Sequence, residues 1–323
     1  MSTTHATAPP PHAPALGWSR RLLGSWHVTG VVWFKSCYWM AGWASDWAFS
    51  CFVLSFTVGF FLALRRIRVA IARNLEPVLG PCGFLERQRR IFRTMLSFAW
   101  CYSERYRFLH HPSRFRIEVE NRERLEAAVR TGEGLIFVTA HIGHWETASH
   151  LMPAGTNREA HVVREEELDP QSQAFMQGIL DRHGQARYKT HFASGDPRLG
   201  LVLAAALRQG HVVALQGDRP RAGGRTLLAS LFGRSLPLPM GPAALARAAS
   251  VCLVPVFSFR TGPRRYQVCV REPIRVPAAG AREAAIREAT LRLAAEIEWA
   301  IRREPHQWFC FREAWASERA PSG

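Results

Sequence analysis

The sequence predicts an α/β fold in which a mixed β-sheet is flanked by helices and preceded by an apolar, membrane-associated helical segment. From about residue 115, short apolar runs rich in β-branched residues alternate with helical stretches, a pattern typical of such sheets. An uncharged apolar stretch, 47–64, comes before them. With 323 residues, 47% of them hydrophobic, the chain has enough apolar material for one large domain and an appendage.

The composition divides the chain into three parts. Residues 1–16 are rich in Ala, Pro, Thr and His, which predicts a disordered tail. No apolar run follows a short basic start, so we expect no secretory signal peptide. Residues 17–68 are predicted to be the membrane-associated segment, and residues 69–323 the α/β domain.

The stretch 47–64 would reach ~27 Å as a helix, at ~1.5 Å per residue, which is a marginal length for the core of a bilayer. Arg65, Arg66 and Arg68 follow it, and the positive-inside rule then places the rest of the chain in the cytoplasm. Four tryptophans suit a membrane–water interface: Trp33, Trp39, Trp43 and Trp47. The alternative is a buried core helix. Whether the segment spans the bilayer or lies in its surface stays open.

Hydrophobic periodicity predicts the elements that follow. Residues 67–110 carry many charges and have no proline after Cys82, which indicates helix. Strands are predicted at 134–140, 160–163, 211–216, 252–259 and 266–270. Helices are predicted at 145–152, 170–182, 197–209, 241–250 and 281–303.

The segment TAHIGHWE, 139–146, contains the strongest candidate for catalysis. A buried-type strand ends, His141 follows it, Gly143 permits a tight turn, and a helix is predicted to begin. Glu146 is five residues on, so the two side chains meet only if His141 lies on the loop and Glu146 reaches back from the first helical turn. A carboxylate on one ring nitrogen fixes the tautomer and leaves the other nitrogen to deprotonate an alcohol. The alcohol is then the nucleophile, and the sequence contains no G-x-S-x-G elbow.

The same segment allows a metal site. His141, His144 and His150 could be ligands, but H-x2-H-x5-H is not a standard zinc spacing and the H-E-x-x-H motif is absent. We therefore expect no metal here, and expect His144 and His150 to be surface or packing residues.

Charged residues close to predicted strand ends are candidates for substrate binding. Asp218 and Arg219 follow the strand 211–216, and Arg164 closes the strand 160–163. Open α/β sheets bind ligands at the carboxyl ends of their strands, where arginine suits a phosphate or a developing oxyanion. Asp218 could hold Arg219 or a backbone amide. Arg234 precedes a predicted helix whose N-terminus would be a further anion site. Ordinary surface salt bridges and a simple loop-to-helix junction are the alternatives.

The charge and the cysteines restrict partners and compartment. The net charge of +16 favours anionic partners such as lipid head groups, acidic proteins or phosphorylated substrates. No cluster of basic residues interleaved with aromatics suggests a nucleic-acid groove, so we expect no nucleic-acid partner. The seven cysteines are scattered and form no C-x-x-C, which fits reduced thiols in a cytosolic setting.

These motifs together resemble the late acyltransferases of lipid A biosynthesis, the lauroyl/myristoyl type, within the lysophospholipid acyltransferase superfamily. The matching stretches are, in order, RNLEPVLG (73–80), GEGLIFVTAHIGHWE (132–146), VVR (162–164), LRQGHVVALQGDRP (207–220), LFGRSLPLPMGPAALARAASVCLVPVF (231–257) and EPHQWFCFREAW (304–315). They cover most of the chain from about residue 17, and their order makes the resemblance specific.

The resemblance implies a glycerolipid-acyltransferase-like fold and an enzyme anchored to the bacterial inner membrane, with its active site facing the cytoplasm. It implies acyl-acyl carrier protein or acyl-CoA as the co-substrate, no other cofactor, and a hydroxyl of a membrane glycolipid such as a lipid A precursor as the acceptor. The family's His-x4-Asp/Glu motif falls on His141 and Glu146. Its downstream Asp motif falls on Asp218 beside Arg219, and Arg164 matches a basic position after a strand.

Two departures bear on the acceptor. The glycerolipid branch carries a Phe-Pro-Glu-Gly-type block where this chain has QGDR (216–219), which weighs against a glycerol-phosphate acyltransferase. The last block reads WFCFREAW in place of a Trp/His-rich basic run, so acceptors such as ornithine lipids or polyene-linked lipids stay open. Two other functions also stay open: a metal-dependent hydrolase using the histidines, and a non-catalytic lipid-binding protein.

Overall fold

The computed structural model describes residues 30–144, 158–167, 169–182, 188–193, 196, 198–221 and 223–316. The described chain begins with the helices α1 (Val31–Trp43), α2 (Asp46–Ala63), α3 (Arg65–Leu79) and α4 (Phe84–His110). The first half of the sheet region comprises β1 (Arg116–Glu120), α5 (Arg122–Arg130), β2 (Leu135–Thr139), β3 (Ala160–Arg164), α6 (Pro170–Arg182) and β4 (Tyr188–Phe192). The second half comprises α7 (Leu199–Arg208), β5 (Val212–Gln216), β6 (Thr226–Leu231), β7 (Arg234–Pro239), α8 (Gly241–Ala249), β8 (Cys252–Gly262), β9 (Arg265–Val270) and α9 (Arg282–Arg303).

The described strands form a seven-stranded mixed sheet in the order β1-β9-β8-β2-β5-β3-β4, with β6 and β7 pairing as a separate hairpin. The β8–β9 pair is antiparallel, and the other neighbours in the large sheet are parallel. All five residues of β2, LIFVT, are buried. A continuous apolar run of this kind suits a parallel strand covered on both faces, and it places β2 in the middle of the sheet.

Helices cover both faces of the sheet. The largest core cluster joins β2, β5 and β8 to α7, α8 and α9 and to the β6–β7 hairpin, through residues such as Ile136, Leu207 and Leu293. A second cluster on the other face packs Leu125 of α5 against alternate residues of the same strands, including Phe137 and Val254. The alternation along β2 therefore decides which helices each side chain meets.

The N-terminal helices pack on one another and against β8 and β9 of the sheet. One face of α2, with Phe49 and Val53 buried, lies against α4. The buried carboxylate of Glu104 in α4 accepts hydrogen bonds from Arg260 Nε (2.9 Å) and from Tyr266 Oη (2.6 Å). Breaking a buried ion pair of this kind typically costs about 3–5 kcal/mol. This network fixes the helices to β8 and β9.

The structure confirms the predicted fold class and the five predicted strands, which are β2, β3, β5, β8 and β9. The hydrophobic periodicity of the sequence does not predict β1, β4 or the β6–β7 hairpin. The strands β1 (RIEVE) and β4 (YKTHF) lie at the two edges of the sheet and are polar, so they lack the apolar run that reveals a central strand.

The single helical region predicted at 67–110 is two helices. They are separated at 80–83, where Gly80 has a φ of +75° and Pro81 follows it. The predicted boundary between residues 68 and 69 falls inside α3. The predicted helix 145–152 lies outside the described residues.

Candidate active site

The register of two neighbouring strands brings His141 and Asp218 together. Parallel pairing places Thr139, the last residue of β2, opposite Gln216, the last residue of β5. His141 and Asp218 each lie two residues beyond this pair, at the carboxyl edge of the sheet. Gly217 prolongs the pairing, because its N–H donates to the Thr139 carbonyl at 2.8 Å. A Cβ on Gly217 would lie 2.7 Å from Val138 Cγ1, so this close approach requires glycine.

The two side chains form a short hydrogen bond, with His141 Nδ1 and Asp218 Oδ1 separated by 2.7 Å. The Asp218 side chain is fully buried, whereas that of His141 is 20% exposed. Burial alone would raise the pKa of Asp218. The charge and hydrogen bond of His141, together with nearby Arg219, outweigh it and hold the pKa well below its usual range. Asp218 is therefore a carboxylate that only accepts hydrogen bonds, so Nδ1 carries the hydrogen and Nε2 is the nitrogen that can accept a proton.

Two further groups face Asp218: Trp308, which is distant in sequence, and the adjacent Arg219. The indole Nε1 of buried Trp308 donates to Asp218 Oδ2 at 3.2 Å. Arg219 Nε lies 3.9 Å from the same oxygen, and its guanidinium also donates to the carbonyl of Phe309. Both carboxylate oxygens thus face a donor or a cation, which offsets the cost of burying the charge.

The loop that carries His141 is held by backbone hydrogen bonds to Gln307 and Phe309. Phe309 N donates to the His141 carbonyl at 2.8 Å, and Gly143 N donates to the Gln307 carbonyl at 3.0 Å. Gly143 has a φ of +54°, and a Cβ there would lie 1.9 Å from the carbonyl oxygen of Ser258 in β8. The tight turn predicted at Gly143 is present, and only glycine fits it.

A cavity of about 880 Å³ opens beside His141. Aromatic and aliphatic side chains of α4 and α6 form part of its wall: Phe98, Tyr102, Phe108, Leu109, Met176 and Ile179. Arg164, Arg219 and Arg221 line it near the strand ends, and Arg312 lines it from the C-terminal segment, residues 304–315. The site therefore combines a base, an apolar wall and charged groups of both signs, because acidic residues also line the cavity: Glu165, Glu166, Glu167 and Asp196.

The structure brings some of the predicted residues together. Arg164, Arg219 and His141 line the cavity, and Asp218 lies behind His141. Arg234 is the exposed first residue of β7 and is not among the residues that line the cavity. Glu146 lies outside the described residues, so the structure neither places nor tests its predicted contact with His141.

The alternative metal site can be followed only in part, because His150 also lies outside the described residues. His144 is buried, and its ring lies 5.3 Å from that of Tyr266. Within the ranges that the structure describes, no group of three or more His, Cys, Asp or Glu side chains is arranged to hold a metal ion.

Trp308 is a residue of the site that the sequence does not predict. Its block, EPHQWFCFREAW, is part of the resemblance, but nothing in the block indicates a contact with Asp218. The sequence predicts that Asp218 holds Arg219 or a backbone amide, and Arg219 Nε does lie 3.9 Å from Asp218 Oδ2. The structure gives its closest hydrogen bond to His141.

Comparison with known families decides what kind of enzyme this site belongs to. The model of the bacterial lipid A biosynthesis acyltransferases matches residues 25–317. The chain belongs to this family. It is an acyltransferase, as the resemblance implied. Its His141 motif, Asp218 and the C-terminal block all lie inside the matched range.

Other comparisons are more distant. No curated protein sequence shows significant similarity to this acyltransferase. A crystal structure of the 1-acyl-sn-glycerophosphate (LPA) acyltransferase PlsC from Thermotoga maritima is similar to it at 13% sequence identity, with a TM-score of 0.35. The match covers 77% of this chain and 96% of the PlsC chain.

The geometry predicts that Asp218→Asn lowers kcat/KM of acyl transfer by about 100-fold. An amide at this position can donate to Nδ1, which favours the tautomer whose Nε2 carries the hydrogen and cannot take a proton. Glu146→Gln is expected to lower the rate but to leave measurable activity. Steady-state rates of the two purified variants test the assignment. Near-normal activity of Asp218→Asn, with complete loss in Glu146→Gln, would instead make Glu146 the orienting carboxylate.

Proposed function

We propose that this acyltransferase moves a fatty acyl group from an acyl thioester, acyl-acyl carrier protein or acyl-CoA, to a hydroxyl of a membrane glycolipid such as a lipid A precursor. One observation carries the proposal: His141, held at Nδ1 by Asp218, lines a cavity with both an apolar wall and arginines. An acyl chain and an anionic head group are the two chemical parts that such a cavity suits.

The proposed mechanism uses His141 as the general base. Its Nε2 takes the proton of the acceptor hydroxyl, and the oxygen attacks the thioester carbonyl to form a tetrahedral intermediate. The carbon–sulfur bond then breaks, and His141 returns the proton to the leaving thiolate. Asp218 stabilises the transient imidazolium, because its negative charge is fixed 2.7 Å from Nδ1. The role that the sequence analysis gave to Glu146 is thereby assigned to Asp218, and Glu146 remains a proposed member of the motif.

The arginines are proposed to bind anionic parts of the substrates. Arg164 is the last residue of β3, Arg219 lies three residues beyond the end of β5, and both line the same cavity as His141. A guanidinium binds a phosphate with two parallel hydrogen bonds, and near the reacting carbonyl it also stabilises an oxyanion. Arg221 and Arg312 add to this set. Arg234 lies outside the cavity lining, so any role in substrate binding would be at the surface.

The acyl carrier protein is the proposed protein partner, because it is acidic and this chain carries a net charge of +16. Opposite charges speed the encounter of two proteins in a way that weakens with salt. The proposed location is the bacterial inner membrane, with the cavity facing the cytoplasm.

The helix α2 supports membrane association. Among the described residues it is the one helix long and apolar enough to cross a bilayer, and little of that apolar stretch is buried. Trp43 at the end of α1 and Trp47 in the first turn of α2 are 84% and 78% exposed, and Leu62 near the end of α2 is 69% exposed. An apolar surface of this extent is typical of a membrane contact.

The packing of α2 favours a position in the membrane surface. Its inner face follows α4 from Trp100, which contacts Phe49, to Phe92, which contacts Phe61. Because α4 carries many charges along its length, the packed pair could not cross the hydrocarbon core together. We therefore propose that α2 lies in the interface, with its Trp47 and the neighbouring Trp43 of α1 in the head-group region.

The proposed function is tested by thioester consumption with purified full-length protein in detergent. Wild type, His141→Ala and the control His111→Ala are incubated with a total lipid extract and either labelled acyl-acyl carrier protein or labelled acyl-CoA, with and without chelator. Label should enter lipid with wild type and His111→Ala, independently of chelator, and His141→Ala should be at least about 100-fold slower.

Other results of this assay would overturn the proposal. Thiol release without labelled lipid would indicate hydrolysis, and loss of activity with chelator would indicate a metal-dependent enzyme. Absence of thiol release with either donor, across several chain lengths, would favour a lipid-binding protein.

The proposed surface position of α2 gives a prediction for the double variant Trp43→Ser/Trp47→Ser. Its binding to anionic phospholipid vesicles should be weaker than that of wild type by about tenfold or more. Leu228→Ser, an exposed leucine on β6, is the control and should bind like wild type. Vesicle sedimentation measures the bound fraction. Retention of the double variant in membranes after an alkaline carbonate wash would indicate a spanning helix and contradict the surface position.

A further inference from the structure

The first and last blocks of the resemblance, 73–80 and 304–315, contain no residue of the proposed proton transfer, although Arg312 of the last block lines the cavity. They nevertheless meet in the structure. Asn74, buried in α3, donates from Nδ2 to the carbonyls of Cys310 (2.9 Å) and Arg312 (2.7 Å). Its Oδ1 accepts from Ala314 N at 3.0 Å. One side chain thus satisfies three backbone groups of the C-terminal segment, which is 236 to 240 residues away in sequence.

The other end of this segment is fixed to the sheet. The buried Gln307 amide makes two hydrogen bonds with the backbone of Arg260 in β8: Oε1 accepts from Arg260 N and Nε2 donates to Arg260 O, each at 2.8 Å. The Gln307 side chain therefore pairs with the backbone of β8 in the way that a residue of a neighbouring strand would. Between Gln307 and Cys310 the segment has little freedom to move.

The fixed stretch is the part that contacts the site. Its backbone pairs with the His141 loop through Phe309 and Gln307. Its indole reaches Asp218 from the side opposite to His141, since Trp308 Nε1 bonds Oδ2 while His141 bonds Oδ1. An indole N–H can only donate. Together the two bonds set the plane of the carboxylate and hence the direction of the imidazole ring.

We propose that Trp308 and Asn74 are positioning residues for the reaction, with Asn74 fixing the C-terminal segment and Trp308 orienting Asp218. This inference rests on the proposed function, because it concerns the same base. It assigns a role to the first and last blocks of the family pattern. It also links α3, which follows directly on the apolar helix α2, to the group that performs the chemistry.

A positioning role differs from a purely structural role in its effect on His141. Without the indole N–H, the negative charge of Asp218 loses a donor at Oδ2 and attracts a protonated His141 more strongly. The protonated ring then persists to higher pH. A variant that only loosens the core would lower stability without this change.

The test uses Trp308→Phe, which keeps an aromatic ring and removes the N–H. The control is Trp299→Phe, which makes the same change in a tryptophan packed against the same core cluster. Full-length proteins in detergent are compared by kcat, by KM for the acyl thioester and by the acid limb of the pH profile. Trp308→Phe should lower kcat about tenfold with KM within about twofold, and should move the acid limb up by about half a pH unit. Trp299→Phe should leave kcat, KM and the acid limb unchanged.

A second readout does not depend on turnover. Diethyl pyrocarbonate modifies neutral histidine, and peptide mass spectrometry follows His141 alone as a function of pH. The His141 modification curve should shift upward in Trp308→Phe, but not in Trp299→Phe. Coincident curves for wild type and Trp308→Phe would overturn the role of Trp308. If the His141 curve shifts in Trp308→Phe but the wild-type protein shows no acyl transfer, the positioning contact is supported and the proposed function is contradicted.

Asn74→Asp tests the remote part of the proposal, because the carboxylate cannot donate to the two carbonyls. After correction for the folded fraction by circular dichroism, it should reproduce the loss of kcat and the shifted His141 curve. Its effect should not add to that of Trp308→Phe in the double variant. If folded Asn74→Asp has the wild-type kcat and an unshifted His141 modification curve, Asn74 contributes only to stability and is not a positioning residue.

Discussion

The hydrogen bond between His141 Nδ1 and Asp218 Oδ1 ties the chemistry of this protein to the geometry of its sheet. It exists because β2 and β5 are neighbours in parallel register and because each side chain follows its strand by the same number of residues. A slip of one residue in either strand would turn one of the two side chains to the opposite face of the sheet. The pairing of β2 with β5 and the close approach at Gly217 therefore determine whether Asp218 can hold His141 as a base.

Burying Asp218 is the main energetic cost of this arrangement. An isolated carboxylate in the interior costs several kcal/mol, and here the protein offsets it with His141, Trp308 and Arg219. Because the pKa of Asp218 lies below its usual value, the stability that the charge contributes is complete above the unfolded pKa of about 3.9 and is lost only as the pH falls below it. The negative charge of Asp218, which orients His141, is thus constant across neutral pH.

The sequence predicts the parts of the structure that are local. Central strands such as β2 and β8 are continuous apolar runs, and His141 is recognisable because it follows one of them and precedes a glycine. The edge strands β1 and β4 carry polar residues that no local pattern separates from loops. The contact of His141 with Asp218 spans 77 residues and depends on strand order, which periodicity does not reveal. Trp308 is harder still, because its role depends on a C-terminal segment that is fixed by a side chain of α3.

The central claim is that Asp218 acts through His141, and a double-mutant cycle tests it most directly. Single-turnover rates of acyl transfer would be measured for wild type, His141→Ala, Asp218→Asn and the double variant, each at the same folded concentration. If Asp218 only orients the base, the double variant is as slow as His141→Ala and no slower. If the two losses multiply, Asp218 acts independently of His141, and the arrangement described here is not the catalytic one.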